Sequence, residues 1–231
     1  MKIAILTGAS RGIGLALVKR LISLDYKVYG ISRSFQNTAF YHENFIRLEC
    51  DLQNTPELIR IIEAIEEKEP QIDLLVNNAG VGYFGPHEQL KPKDLQTMVR
   101  VNLEAPLILC RLLLRSLKKS NGTILSISSV TAKKASTHGC AYSATKAGLS
   151  HFFAGLFEEV RKTGVKVITI HPDMVKTGFY DSLDFTYEDQ EDTVILEEQV
   201  ADAAEYALKA STTVSVNDIT LRPQKNRIKR K

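Results

Sequence analysis

Tyr142 and Lys146 stand four residues apart in AYSATKAG, residues 141–148, where the apolar spacing predicts the start of a helix. Side chains at that spacing share one helix face, a turn apart. A free phenol titrates near ~10, so only about 0.1% is phenolate at pH 7, and a neighbouring ammonium favours the anion. One reading of the pair is a phenol tuned to exchange protons near neutrality. The other is an accidental pairing on a surface helix, and the stretch alone does not choose.

Other residues of chemical interest lie far away in the chain. TGASRGIG, residues 7–14, places Gly8, Gly12 and Gly14 where an apolar run meets a helix-period segment. Glycines there permit a tight turn and close approach of backbone to a pyrophosphate, which the free N–H groups of the helix N-terminus stabilise. The spacing is GxxxGxG and not the commoner GxGxxG. The next apolar run ends GISRS, with Arg33 and no nearby acid to accept bonds from an adenosine ribose. An arginine at that place accommodates a 2′-phosphate, and Arg11 offers a second guanidinium, so NADP is expected over NAD. NNAG (77–80) is small and polar, Asp51-Leu52 is placed for an adenine, and Asn102 sits inside a helical segment, a costly place without partners.

These residues have to be positioned by the elements between them. Apolar runs at 2–6, 27–32, 45–50, 73–79, 123–128, 165–171 and 218–223 read as strands. Helical spacing marks 14–24, 56–68 (with Thr55 as its cap), a long helix within 93–118, then 140–163 and 198–210. Strands this apolar, alternating with helices, describe an α/β protein: a doubly wound parallel sheet between two helical layers. In such sheets ligands bind beyond the carboxyl ends of the strands, where the residues above fall.

The totals agree with one domain. The chain has 231 residues, 44% hydrophobic and 25% charged, with no apolar run long enough to span a membrane. Cys50, Cys110 and Cys140 are too few and too scattered for a disulfide framework or a zinc site. A reducing cytoplasm and no metal are therefore expected. Cys140 has no base nearby in sequence and reads as a packing residue. The net charge of +3 is misleading, because the last ten residues carry six Lys/Arg and no acid, leaving the body at −3. The tail, 224–231, reads as a frayed, solvated end, and neither nucleic acid nor membrane is expected as a partner.

TGASRGIG, NNAG, Ser129 after the fifth strand, Tyr142-Ser-Ala-Thr-Lys146 and His171-Pro172 occur in order over residues 1–177. The chain thereby resembles the short-chain dehydrogenase/reductase family in its single-domain form, with a Rossmann fold over residues 1–223. The resemblance implies Ser129, Tyr142 and Lys146 as the catalytic set, with Asn102 as a fourth member. Tyr142 would serve as general acid in reduction and general base in oxidation. Ser129 would hold the substrate oxygen, and Lys146 would lower the Tyr142 pKa and bond the nicotinamide ribose. Asn102 would fix a kink or a water. NADP(H) would run along Gly8, Ser10, Arg11, Gly12, Ile13, Gly14, Arg33, Asp51, Leu52, Asn78, Ala79, Gly80, Tyr142, Lys146, Pro172, Val175 and Thr177. In HPDMVKT, Asp173 stands where the family has glycine, which bears on how closely that backbone can approach the nicotinamide amide.

Residues 178–197 are expected to form the substrate lid. The eight acids between 181 and 198, Glu191 among them, with no Lys or Arg, disfavour polyanionic substrates. Phe179, Tyr180, Tyr83 and Phe84 are candidates for an apolar pocket. The expectation is an NADP(H)-dependent oxidoreductase interconverting a small carbonyl compound and a secondary alcohol, as a homodimer or homotetramer. Two alternatives are a 3-oxoacyl-thioester reductase and a non-catalytic NADP-binding redox sensor.

Overall fold

The computed structural model describes residues 1–231 apart from 182, 191, 212, 226 and 227; Glu191 of the lid and Arg227 of the tail lie outside the described residues. The strands are β1 (Lys2–Thr7), β2 (Tyr26–Ser32), β3 (Phe45–Glu49), β4 (Leu74–Asn77), β5 (Thr123–Ile127), β6 (Lys166–Pro172), β7 (Phe185–Tyr187), β8 (Asp218–Leu221) and β9 (Ile228–Arg230). The helices are α1 (Gly12–Ser23), α2 (Thr55–Lys68), α3 (Pro92–Val99), α4 (Ala105–Ser120), α5 (Cys140–Val160) and α6 (Glu197–Lys209). Seven strands form a parallel sheet in the order β3-β2-β1-β4-β5-β6-β8. The order reverses between β1 and β4, so a crevice opens there beyond the strand ends.

The side-chain period of two divides the core. On β1, Ile3 and Ile5 face the layer that includes Leu58, Leu109 and Phe153, while Ala4 and Leu6 face the layer of Leu17, Val18 and Ala204. A central parallel strand is covered on both faces, which is why KIAIL reads as an unbroken apolar run. Opposite the large cluster, α1 packs on α6, and Arg20 joins them by pairing with Asp202 and Glu205.

Three features depart from the sequence reading. Asn54, not Thr55, caps α2: its Oδ1 accepts the Glu57 N–H at 3.3 Å. The long helix of 93–118 is interrupted by a π-helical turn at Arg100–Glu104. The third is the tail, which is not frayed. β9 pairs antiparallel with β7 of the lid, with Tyr187 opposite Ile228 and Phe185 opposite Arg230. The Lys231 N–H donates to the Asp184 carbonyl at 2.9 Å, and Lys225 pairs with Asp192 at 2.6 Å. Part of the tail's positive charge therefore answers the acidic lid. No helix among the described residues is long and apolar enough to cross a membrane, and no group of three metal-capable side chains occurs among them.

Candidate active site

Tyr142 and Lys146 sit in the first two turns of α5, both buried and both on the cleft beyond the strand ends. The Lys146 ammonium donates to the Ile127 carbonyl at the end of β5 at 2.9 Å and lies 6.0 Å from the centroid of the Tyr142 ring. Ser129, two residues beyond β5, caps a short turn: its Oγ accepts from the Thr131 N–H at 3.2 Å and from the Thr131 hydroxyl at 3.0 Å. With those two acceptor sites used, the Ser129 proton is free to be donated towards the Tyr142 oxygen, and it acts to lower the phenol pKa. Ser128 points the other way, to the Lys146 carbonyl and Ser150, and ties β5 to α5.

Asn102 is fully buried in the π-helical turn and does not line the cleft. Its Oδ1 accepts from the Val81 N–H at 2.9 Å, and its Nδ2 donates to the Val81 carbonyl at 2.8 Å and to Thr145 Oγ1 at 3.1 Å. All the usual reasons against a mid-helix Asn disappear, because every polar atom has a partner. The residue clamps the loop that follows NNAG to the helix that carries Tyr142. A Cβ on Gly80 would stand 3.4 Å from the Lys146 Nζ, so the ammonium lies directly beneath that loop.

The electrostatics correct one expectation. Burial pushes the Tyr142 phenol up to about 12, with the Ser129 hydrogen bond acting in the opposite direction. Burial pushes Lys146 down to about 8. In the protein by itself desolvation outweighs the pull of the ammonium on the phenol, so the charge that would lower the phenol must arrive with a ligand.

The cleft, about 920 Å³, runs from the glycine turn to these side chains. Every residue expected to touch the cofactor lines it. Gly8 and Gly12 have φ of 73° and 61°, which explains glycine at both, and a Cβ on Gly14 would lie 1.9 Å from the Gly8 carbonyl. The α1 N-terminus opens here with no side-chain cap and no acid in its first turn, leaving its N–H groups to an anion. Arg11 and Arg33 add positive charge on the same cleft. The only carboxylates on its wall among the described residues are Asp51 and Asp173, and Glu49, beside Ser32 in the sheet, is spent on the Phe35 N–H. This donor set fits a dinucleotide.

A family model described as short chain dehydrogenase matches residues 2–187. The chain belongs to the short-chain dehydrogenase/reductase family. A dehydrogenase/reductase of Gallus gallus named as member 11 of that family is 32% identical, covering 96% of each chain. An uncharacterized oxidoreductase of Staphylococcus saprophyticus is 31% identical over 96% of this chain and 97% of its own. Among solved structures, an alcohol dehydrogenase of Thermococcus sibiricus complexed with 5-hydroxy-NADP superposes with a TM-score of 0.88 at 26% identity, covering 98% of this chain and 99% of that one.

Seen as a short-chain dehydrogenase/reductase, the chain also shows what its sequence concealed. Asp173 sits at ordinary negative φ, its Oδ1 accepting the Met174 N–H at 3.1 Å, so the missing glycine imposes no strain. Thr7, the first residue of TGASRGIG, accepts at its Oγ1 the N–H groups of Asn78 and Ala79, both at 3.2 Å, and so shapes NNAG. His171 places Nδ1 3.3 Å from the Ser129 carbonyl and Nε2 2.9 Å from Asp218. Cys140 does have a neighbouring base: His87 Nδ1 is 3.6 Å from its sulfur. The contacts of Thr7, His171 and Cys140 each join residues more than 40 positions apart, so no local pattern announces them.

Proposed function

We propose that this protein is an NADP(H)-dependent oxidoreductase interconverting a carbonyl compound and a secondary alcohol. The observation that carries the reading is one continuous cleft with Ser129, Tyr142 and Lys146 at one end, and Arg33 without a competing acid at the end of β2. The nicotinamide, when bound, supplies hydride in reduction and accepts it in oxidation. Ser129 holds the substrate oxygen and stabilises charge growing there. Tyr142 gives its proton to that oxygen in reduction and takes one back in oxidation. Lys146 keeps a positive charge beneath the phenol and is placed to bond the nicotinamide ribose. Asn102 keeps the Val81 backbone in register with α5 and so fixes Lys146. Three free thiols, one of them exposed, suit a reducing cytoplasm.

The reading is tested by following NADPH and NADH absorbance across a panel of ketones, aldehydes and secondary alcohols. Consumption by none of them, with nucleotide bound, would overturn it. Cofactor choice has its own test. Arg33→Asp puts a carboxylate where a ribose hydroxyl would bind and repels a 2′-phosphate. The expected result is a fall in the kcat/KM ratio of NADPH to NADH of about a hundredfold, from a lost charge-assisted pair and a gained repulsion. An unchanged ratio would mean that Arg33 does not read the phosphate.

The reading extends to a homodimer or homotetramer formed through α4 and α5, along which Leu112, Leu114, Phe152 and Phe157 flank the core and are only partly buried. Light scattering should give a mass two or four times 25.8 kDa; a monomer at micromolar concentration would exclude it.

A further inference from the structure

The wall beside the Tyr142 ring is aromatic. Phe84 lies 5.2 Å from the Tyr142 ring, and Phe185 packs edge-on against Phe84 at 5.2 Å. Phe179 stands 6.0 Å from Tyr142, and Tyr180 closes the set against Phe185 at 6.0 Å. Tilted and edge-on geometries at these distances are those that aromatic rings favour. Phe185 and Tyr187 share one face of β7, since side chains alternate along a strand. Tyr187 also packs on Tyr180, so that face looks inward.

Pairing with β9 brings in a residue from the far end of the chain. Ile228 is directly opposite Tyr187, on the same inward face. It lines the cleft together with Phe84 and Phe185, yet 63% of it is exposed. A large apolar side chain held open at the mouth of a pocket gains its burial from whatever enters. The strand that carries it is anchored: Lys225 donates its N–H to the Asp192 carbonyl at 2.7 Å, and the Lys231 ammonium donates to the carbonyls of Tyr180 and Asp181.

We propose that the substrate carries an apolar ring next to its carbonyl or carbinol carbon, that this ring packs between Phe84, Phe185 and Ile228, and that Ile228 is a specificity-determining residue supplied by the C-terminal strand. The proposal rests on the oxidoreductase reading above. A wall of aromatic edges and one branched aliphatic side chain favours a flat apolar group.

The test compares kcat/KM for a phenyl ketone with that for a three- or four-carbon ketone, in the full-length protein and in Ile228→Ala and Ile228→Trp. The wild type should prefer the phenyl ketone. Ile228→Ala should lower that preference roughly tenfold by removing apolar contact, and Ile228→Trp should lower it by filling the space. The NADPH Kd and turnover of the small ketone should stay within about twofold in both, since only the far end of the pocket changes. Equal effects on both ketones, or none, would overturn the proposal and leave the oxidoreductase reading intact. If no member of the carbonyl and alcohol panel is turned over, that reading fails, and calorimetry with phenyl ketone and the NADP-loaded protein decides the pocket separately. Binding weakened by Ile228→Ala would support the wall; absent or unaltered binding would refute it.

Discussion

Tyr142→Phe should cut turnover by about a thousandfold, the middle of the range that positioned acid–base groups contribute, while NADPH binds within about threefold of wild type. The substitution removes the one proton that the site can deliver and keeps the ring. That ring packs on Phe84 and Phe179, so the pocket wall should survive. A polar contact between the phenol and Ser129 is worth at most about 1 kcal/mol, too little to unfold a core of this size. Single-turnover NADPH absorbance with the phenyl ketone measures the rate, and nucleotide fluorescence measures binding. Wild-type-like rates would remove Tyr142 from the chemistry. A matching loss of binding would show damage to the fold and not to proton transfer.

The raised phenol adds a direction to this expectation. With its pKa pushed up to about 12, Tyr142 is neutral throughout the physiological range and always ready to donate. Alcohol oxidation needs the phenolate, which is scarce below that value unless the bound nicotinamide lowers it. Oxidation by the wild type should therefore rise with pH through the alkaline range, whereas reduction should be flat below about 8, where Lys146 begins to lose its charge.

What the sequence made legible follows from which interactions are local. Buried parallel strands are written as apolar runs because both faces are covered, and β1 shows this residue by residue. The glycine turn was legible because positive φ at Gly8 and Gly12 leaves few alternatives. Tyr142 and Lys146 declared themselves by helical spacing. Other parts were closed to that kind of reading. The π-helical turn holds Asn102 against the backbone of Val81, a partner 21 positions away. The β7–β9 pair has three residues per strand and no alternation to give it away, since every residue of β9 is exposed. Its register depends on a lid and a tail meeting in space, and the charges of both look like solvated surface when each is read alone. The pKa values were misjudged for the same reason. Lys146 near Tyr142 predicts a lowered phenol if both are wet, but burial of both reverses the balance, and burial is a property of the whole fold.

Lys146→Met should give a protein that is more stable than wild type and nearly inactive. Lys146 is 97% shielded from solvent, its ammonium donates to one carbonyl at 2.9 Å, and it forms no ion pair with a carboxylate among the described residues. Its pKa falls from 10.5 to about 8 on burial, a penalty of about 3 kcal/mol at the rate of about 1.4 kcal/mol per unit. Methionine fills similar volume without a charge, and the lost hydrogen bond to Ile127 returns about 1 kcal/mol. The net gain of about 2 kcal/mol should raise the Tm of the nucleotide-free protein by about 4–8 °C for a chain of this length. The pH dependence has a definite sign. Between about 8 and 10.5 the unfolded chain holds a proton on this group that the folded one has released, so wild-type stability rises with pH across that window. The advantage of the methionine variant is thus complete below pH 8 and fades towards 10.5. Thermal unfolding of both proteins at pH 7 and pH 10 measures it, with turnover expected to fall at least a hundredfold and NADPH affinity to fall with it. A variant less stable at pH 7, or an advantage that grows with pH, would mean that the ammonium is stabilised where it lies. Lys146 would then be a structural strut, and its charge would not be a cost that the fold bears for the sake of the reaction.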